Sequence, residues 1–359
     1  SWHTATDEGS PSAPSLFVQD VCDLFEDSLY ERRQRRALGA SDHRGAQPAH
    51  SPPSQGGVLA PLSDPLLLSQ ISERAVSASA LEIWIGCPVR WFVERLLRAK
   101  DINPDPEPLL RGGLTHAALR DVFDGLRVRG AAKLTESTLA LALELLTDAL
   151  EVHAGPLRRS VAQERLPGVL RRLQADLERY LTHAAQTESP LQPKYLELPF
   201  GFPDEGDLGV FDLGEGAQLR GRIDRIDVDE DGRAVLYDYK GKNAPGAAKW
   251  IGESNIQIAL YMRAAEDLLG LEVLGGFYQP LSGRDLRARG AISSEAPPGL
   301  AGVRADRLAH TDFKALIAAA ATAARQAAGE VARGELEPRP ATCDYQGGCS
   351  YPTICRCEL

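Results

Sequence analysis

The stretch "AQLRGRIDRIDVDEDGRAVLYDYKGK", residues 217–242, constrains this chain more than any other. Two runs rich in Ile, Val, Leu and Tyr flank "DEDG". Asp231-Gly232 is a strong hairpin signal, because glycine supplies the positive φ that a tight turn demands. A hairpin centred near Asp231 opposes residues whose numbers sum to about 462, and Asp224 and Asp238 satisfy that sum. Side chains alternate along a strand, so Asp238 and Lys240 share a face, and Asp224 can point to the same side from the neighbouring strand. Two carboxylates directly across a hairpin repel unless something cationic lies between them. A divalent metal meets that need. Hard cations such as Mg²⁺ prefer carboxylate oxygens and keep several waters, which suits phosphodiester hydrolysis: the metal binds the phosphate and lowers the pKa of an attacking water. Lys240 adds a point charge that can orient that water or help to deprotonate it. The bland alternative is a cross-strand pair relieved by Lys240 or Arg225 alone. Asp227, on the opposite strand face from Asp224, is the weaker ligand candidate.

The rest of the chain divides by period. Residues 14–38 show helical spacing at Leu16, Val18, Val21, Leu24, Phe25 and Leu29. The Gly-, Ser- and Pro-rich segment 39–65 reads as a flexible linker. Residues 1–78 are therefore expected to form a lead-in, and 79–359 the main domain. Ser79 is the expected N-cap of an aromatic-rich helix, "SASALEIWIGCPVRWFVERLLRA", kinked at Pro88. Helices are expected over 114–127, 135–154 and 161–186, an α-rich block ahead of the strands. Near residue 194 the period changes, and "KYLELPFGF" joins the two hairpin runs as a strand. Helical spacing returns in "SNIQIALYMRAAEDLLG", a strand follows in "LEVLGGFYQP", and an Ala-rich helix fills roughly 311–333. This pattern predicts a mixed α/β core flanked by helices.

Composition narrows the function classes. The formal net charge of −10 argues against a protein that coats nucleic acid non-specifically, since phosphate contacts draw on Lys and Arg. A local basic groove remains compatible with it: Arg90, Arg95, Arg98, Lys100 and Arg111 form one sequence group, Arg220, Arg222 and Arg225 a second, and Lys240, Lys242 and Lys249 a third. No stretch approaches the roughly 20 apolar residues that span a bilayer, and the N-terminus lacks the basic-then-apolar order of a signal peptide. A cytoplasmic protein without membrane contact is expected. The chain starts at Ser1 and its only methionine is Met262, which reads as residues taken from a longer polypeptide or bounded for recombinant expression.

Six cysteines in such a chain point to metal binding or inert thiols rather than a disulfide framework. Cys343, Cys349 and Cys355 cluster near the C-terminus with Cys357 close behind, and Cys87 lies far upstream. Four thiolates can hold Zn²⁺ or a [4Fe-4S] cluster, and spacing alone does not separate the two. Cys22 reads as a small buried hydrophobe.

Taken together, "GRIDRID", "LYDYKGK" and "QIALY" resemble the core of the PD-(D/E)XK nuclease superfamily, in its RecB-like branch with the AddB-type repair nucleases. The resemblance implies the restriction-endonuclease-like α/β core. It also implies a Gly-x-x-Asp strand with one ligand, Asp224, an Asp-x-Lys strand with Asp238 and Lys240, and a following helix with Gln257 and Tyr261. Four residues separate that last pair, so one helix face presents both. "LLRGGLTHAALRDVF" resembles the branch's early histidine motif, with His116 in the ligand position. The implied metal ligands are His116, Asp224 and Asp238, for Mg²⁺ or Mn²⁺. Glu197 in "YLELPF" fits a strand acid of the branch, with a structural role equally open. "SASALEIWIGCPVRWF" and "CSYPTICR" resemble the branch's iron-sulfur bracket, implying a [4Fe-4S] cluster on Cys87, Cys343, Cys349 and Cys355, with zinc as the alternative. The pattern departs from the family in two places: five residues separate Cys343 from Cys349 where two are usual, and Cys357 offers a competing thiol. Such a clamp would hold the early helix and the tail against the core. The implied function is a metal-dependent DNA nuclease, an exonuclease of a DNA-repair helicase-nuclease, with DNA and a helicase domain or subunit as partners. The alternatives are a catalytically silent PD-(D/E)XK module that binds DNA or protein, and a zinc-stabilised scaffold.

Overall fold

The computed structural model describes residues 61–98, 106–187, 189–206, 208–300, 303–339 and 351. The expected helix at 14–38, most of the linker, and Cys343, Cys349, Cys355 and Cys357 lie outside the described residues.

A long strand organises the fold. Strand β4 (Ala217–Val228) pairs antiparallel with β2 (Gln192–Phe200) and β5 (Arg233–Lys240) over its second half, and with β3 (Phe211–Gly214) and, in parallel, β1 (Val76–Ser77) over its first. The sheet continues from β5 to β6 (Glu272–Pro280) in parallel, then antiparallel to β7 (Arg289–Ser293) and parallel to β8 (Arg307–Leu308). The predicted hairpin register holds: Arg225 faces Tyr237 and Ile226 faces Leu236. Gly232 adopts φ +81°, and Asp229 Oδ1 closes the turn by accepting the N–H groups of Asp231 and Arg233. The mixed α/β sheet flanked by helices expected from the sequence is therefore present.

Helices cover the sheet because its residues are apolar on both sides. Helices α1 (Pro65–Ser72), α2 (Ala78–Gly86), α8 (Gln257–Leu269) and α9 (His310–Ala332) pack into one core around Trp84, Ile223, Ile226, Leu236, Trp250 and Phe313. A second core joins α4 (Glu107–Val128), α5 (Leu139–His153), α6 (Gly155–Ser160) and α7 (Leu166–Ala185), and it reaches the sheet through Tyr239. Each large apolar side chain removed from water there stabilises the fold by about 1.5–3 kcal/mol. No helix among the described residues is long and apolar enough to cross a membrane.

Some local expectations change. The N-cap of α2 is Ser77, whose hydroxyl accepts Ala80 N–H at 3.2 Å, and not Ser79. Ser77 is the last residue paired in β1, so the helix starts directly after it. Pro88 does more than kink the helix. It cannot donate to the preceding turn and drives the residue before it out of the helical region, so α2 ends at Gly86 and Cys87 is extended (φ −163°, ψ 117°). α3 (Pro88–Trp91) then begins, running into a π-helical turn at Phe92–Leu97. The single helix expected over 161–186 starts later, at Leu166 (α7), because Pro167 sits in its first turn and sets a new start; the preceding α6 ends at Ser160. Residues 62–77, read from composition as lead-in, pack on the domain: Leu62 N–H donates to Gly334 O at 2.9 Å.

Asp227, the weaker ligand candidate, is occupied elsewhere. Its carboxylate takes two hydrogen bonds from Arg225, at 2.6 and 2.5 Å, and is 2% exposed. The guanidinium lies between Phe123 and Tyr237, 4.6 and 4.4 Å from the ring centroids. Replacing Asp227 by Ala strands a buried cation, so urea denaturation should show a loss of about 3–5 kcal/mol.

Candidate functional site

The β4–β5 ladder ends at Arg225↔Tyr237. Continued one step, that register sets Asp224 across from Asp238, and there the Asp224 side chain takes over the bonding: its Oδ2 accepts Tyr239 N–H at 2.6 Å. Both carboxylates are buried, at 8% and 3% exposure. Asp238 Oδ1 accepts Gln257 Nε2 at 2.7 Å, and Lys240 Nζ lies 2.6 Å from Oδ2. That ion pair is short but poorly aligned, and Oδ2 accepts no hydrogen bond of normal geometry.

His116 enters from α4. Its Nδ1 is 2.9 Å from Glu197 Oε1 and 3.5 Å from Asp224 Oδ1, and its ring meets Tyr239 edge-on, with centroids 5.7 Å apart. Glu197 falls between the paired residues Leu196↔Arg225 and Leu198↔Ile223, opposite Asp224. It adopts φ +48° in mid-strand, a left-handed conformation that is strained for a side chain of this size. The strain coincides with the bond to His116, as it does at sites where geometry is held against local preference.

The structure thus brings His116, Glu197 and Asp224 into one cluster, with a ligand atom from each within 4.8 Å of the others. Glu197, left open by the sequence, is a full member. Asp238 stands outside that trio, turned toward Lys240 and Gln257. Tyr261 lies within reach of the charges of Asp238 and Asp224, and its hydroxyl meets the backbone N–H of Arg222. A Cβ at Gly221 would come within 2.7 Å of the Tyr261 ring. The Gly-x-x-Asp spacing therefore lets Tyr261 brace the strand that carries Asp224. Glu82 on α2, to which the sequence assigned no role, accepts Gln257 N–H at 2.8 Å. Its only sequence signal was its place in the motif shared with Cys87. Cys87 is buried, at 9% exposure, and is not in a disulfide.

The electrostatics describe a site short of positive charge. Burial, then the charge of Asp238, raises Asp224 well above the usual carboxylate range, and burial raises Asp238 against the opposing charge of Lys240. Burial alone would lower His116, but the hydrogen bond to Glu197 and the charge of Asp224 outweigh it and lift the imidazole to about 9. Burial would likewise lower Lys240, and the charge of Asp238 reverses the sign, holding the ammonium protonated. A divalent cation fits this donor set: one imidazole and two carboxylates converge, and protons otherwise occupy the position of the missing charge. The imidazole suits Mn²⁺ better than Mg²⁺, which prefers oxygen alone.

These shifts fix a sign. Asp224 and His116 both bind protons more tightly folded than unfolded, so the stability that they add at low pH is lost as pH rises. For His116 the window runs from its ordinary 6.5 to about 9. Thermal melts of metal-free protein should therefore drop across that window, Asp224→Asn should flatten the drop, and Mn²⁺ should restore more stability at its upper end than at its lower.

Comparison with known proteins bears on the family. A sequence profile of the PD-(D/E)XK nuclease superfamily matches residues 75–356. Bacterial proteins described as the B-type subunit of an ATP-dependent helicase/deoxyribonuclease are similar to the chain. The one from Carboxydothermus hydrogenoformans is 28% identical over 224 residues, covering 58% of this chain and 20% of that protein. The one from Moorella thermoacetica is 30% identical over 243 residues, 62% of this chain and 21% of that protein. The one from Desulforudis audaxviator is 30% identical over 249 residues, 65% and 20% respectively. The chain spans about a fifth of the length of these curated relatives. With the matched span covering most of the chain and enclosing the hairpin, the histidine helix and the glutamine helix, the chain belongs to the PD-(D/E)XK nuclease superfamily.

Proposed function

We propose that this domain hydrolyses DNA phosphodiester bonds with a divalent metal, Mg²⁺ or Mn²⁺, as an exonuclease within a helicase-nuclease. The observation that carries the reading is the convergence of His116, Glu197 and Asp224 beside the Asp238–Lys240 pair. Once bound there, the cation would supply Lewis acidity and a water of lowered pKa. His116, Glu197 and Asp224 are its nearest donors, and Asp238 joins them if its carboxylate turns from Lys240. Lys240, held protonated, acts as a fixed positive charge that orients the attacking water and offsets charge developing on the phosphate. Gln257 holds Asp238 in place, and Tyr261 braces β4 from behind.

A groove of about 800 Å³ begins at Lys240 and is lined by Lys242, Lys249, Arg287 and Arg289 among others. Lys249, Arg287 and Arg289 are paired with Glu253, Asp285 and Asp306. Lys242 is exposed. A phosphate backbone leading away from the scissile bond would meet these cations in turn. The relatives' name joins a helicase to a deoxyribonuclease, which supports a helicase domain or subunit as partner and a DNA-processing role. We take the domain to extend back past residue 79, since β1 and α1 pack on it.

We also assign a [4Fe-4S] cluster to Cys87, Cys343, Cys349 and Cys355, with zinc as the rival metal. The support is local. Arg339 Nη1 donates to Trp84 O and Ile85 O at 3.2 and 2.5 Å, which brings the chain beside the end of α2 just four residues before Cys343.

Three experiments test these assignments. Single- and double-stranded DNA should be cut only with Mn²⁺ or Mg²⁺. Asp238→Ala and Lys240→Ala should each lower the rate by about 10²–10³-fold, and Lys242→Glu should reduce the salt slope of DNA binding by about one contact. Wild type that cuts nothing, or both site variants cutting like wild type, would falsify the nuclease assignment. Anaerobically purified protein should carry visible iron-sulfur absorbance that Cys87→Ala removes. Stoichiometric zinc with no such absorbance would decide for the rival.

A further inference from the structure

Helix α8 begins without a cap of its own. Its N-cap is Ile256, whose side chain cannot accept a hydrogen bond, so the first N–H groups need partners from elsewhere. Two residues distant in sequence provide them. Glu82 Oε1 on α2 accepts Gln257 N–H at 2.8 Å, and Tyr278 Oη on β6 accepts Ile258 N–H at 3.3 Å. Gln257 is the first residue of that helix, and its side chain bonds Asp238 Oδ1 at 2.7 Å. Lys240 closes the chain of contacts at Asp238 Oδ2, with its ammonium 5.0 Å from the Tyr278 ring centroid. The backbone of Gln257 thus answers to Glu82 and its side chain to Asp238. This path runs to Asp238 and Lys240 without passing through the cluster of His116, Glu197 and Asp224.

The geometry points to Glu82 as a positioning residue: by capping α8 from α2, it holds Gln257 against Asp238 and so sets the aim of the Asp238–Lys240 pair. This rests on the nuclease reading above. A carboxylate at this place also has an electrostatic consequence, since burial lifts Glu82 to about 7 while the Gln257 N–H and the charge of Lys240 oppose that rise. The same helix ends at Gly86, one residue before the buried Cys87.

The test is a double-mutant cycle between Glu82 and Gln257, read as kcat and KM for Mn²⁺-dependent DNA cleavage, with amide hydrogen exchange at Gln257 measured without DNA. Glu82→Ala should lower kcat on the order of 10²-fold with KM nearly unchanged, and should speed exchange at Gln257. Glu82→Gln keeps the acceptor oxygen and should recover most of kcat. Gln257→Ala should cost little more when added to Glu82→Ala. If the two losses multiply independently, or Glu82→Gln is no better than Glu82→Ala while both stay folded, the proposal is overturned and the nuclease reading stands. Wild type that cleaves nothing overturns both.

Discussion

Like charges placed face to face in a dry setting are the condition that the rest of this molecule serves. Asp224 and Asp238 stand opposed where the β4–β5 ladder gives out, both almost fully buried. Their repulsion is answered on each side. His116 and the N–H of Tyr239 attend to Asp224, while Lys240 and Gln257 attend to Asp238. What remains after those contacts is a deficit of positive charge, and burial with the neighbouring carboxylate raises the pKa of Asp224, as burial does that of Asp238. A site left in that state costs stability unless a cation completes it.

The fold can be read as the means of holding that arrangement. Gly221 admits the Tyr261 ring against β4, which fixes the strand carrying Asp224 from behind. Helix α4 brings His116 to the cluster and is itself anchored in a separate apolar core with α5 and α7. Glu197 reaches the histidine only by adopting a left-handed conformation in the middle of a strand, at a local cost of order 1–3 kcal/mol. The pairing of β2 on both sides of that residue keeps it there.

Much of this was legible beforehand. The hairpin register followed from side-chain alternation and one turn glycine, and the paired residues from Arg225↔Tyr237 to Val228↔Ala234 keep it. Helices appeared where period 3.6 was clear, as in α8 and α9. Failures of detail came from short-range backbone chemistry: Pro88 and Pro167 set helix boundaries that hydrophobic spacing alone would run through, and β1 moved the start of α2 to follow Ser77. Tyr261, grouped with Gln257 by helical spacing, lies against Gly221 of β4, within reach of the charges of Asp224 and Asp238.

The sequence by itself determined the opposed aspartates, the lysine beside them and the glutamine helix, because all lie within about 40 residues and obey local periodicity. Only the tertiary structure decided that Glu197 completes the cluster and that Glu82 caps α8. Those contacts join residues 81 and 175 positions apart, His116 to Glu197 and Glu82 to Gln257. One of them needs a backbone conformation that glutamate rarely adopts. No propensity or spacing encodes such meetings, since they exist only once separate helices and strands have packed and left a buried polar group to be satisfied.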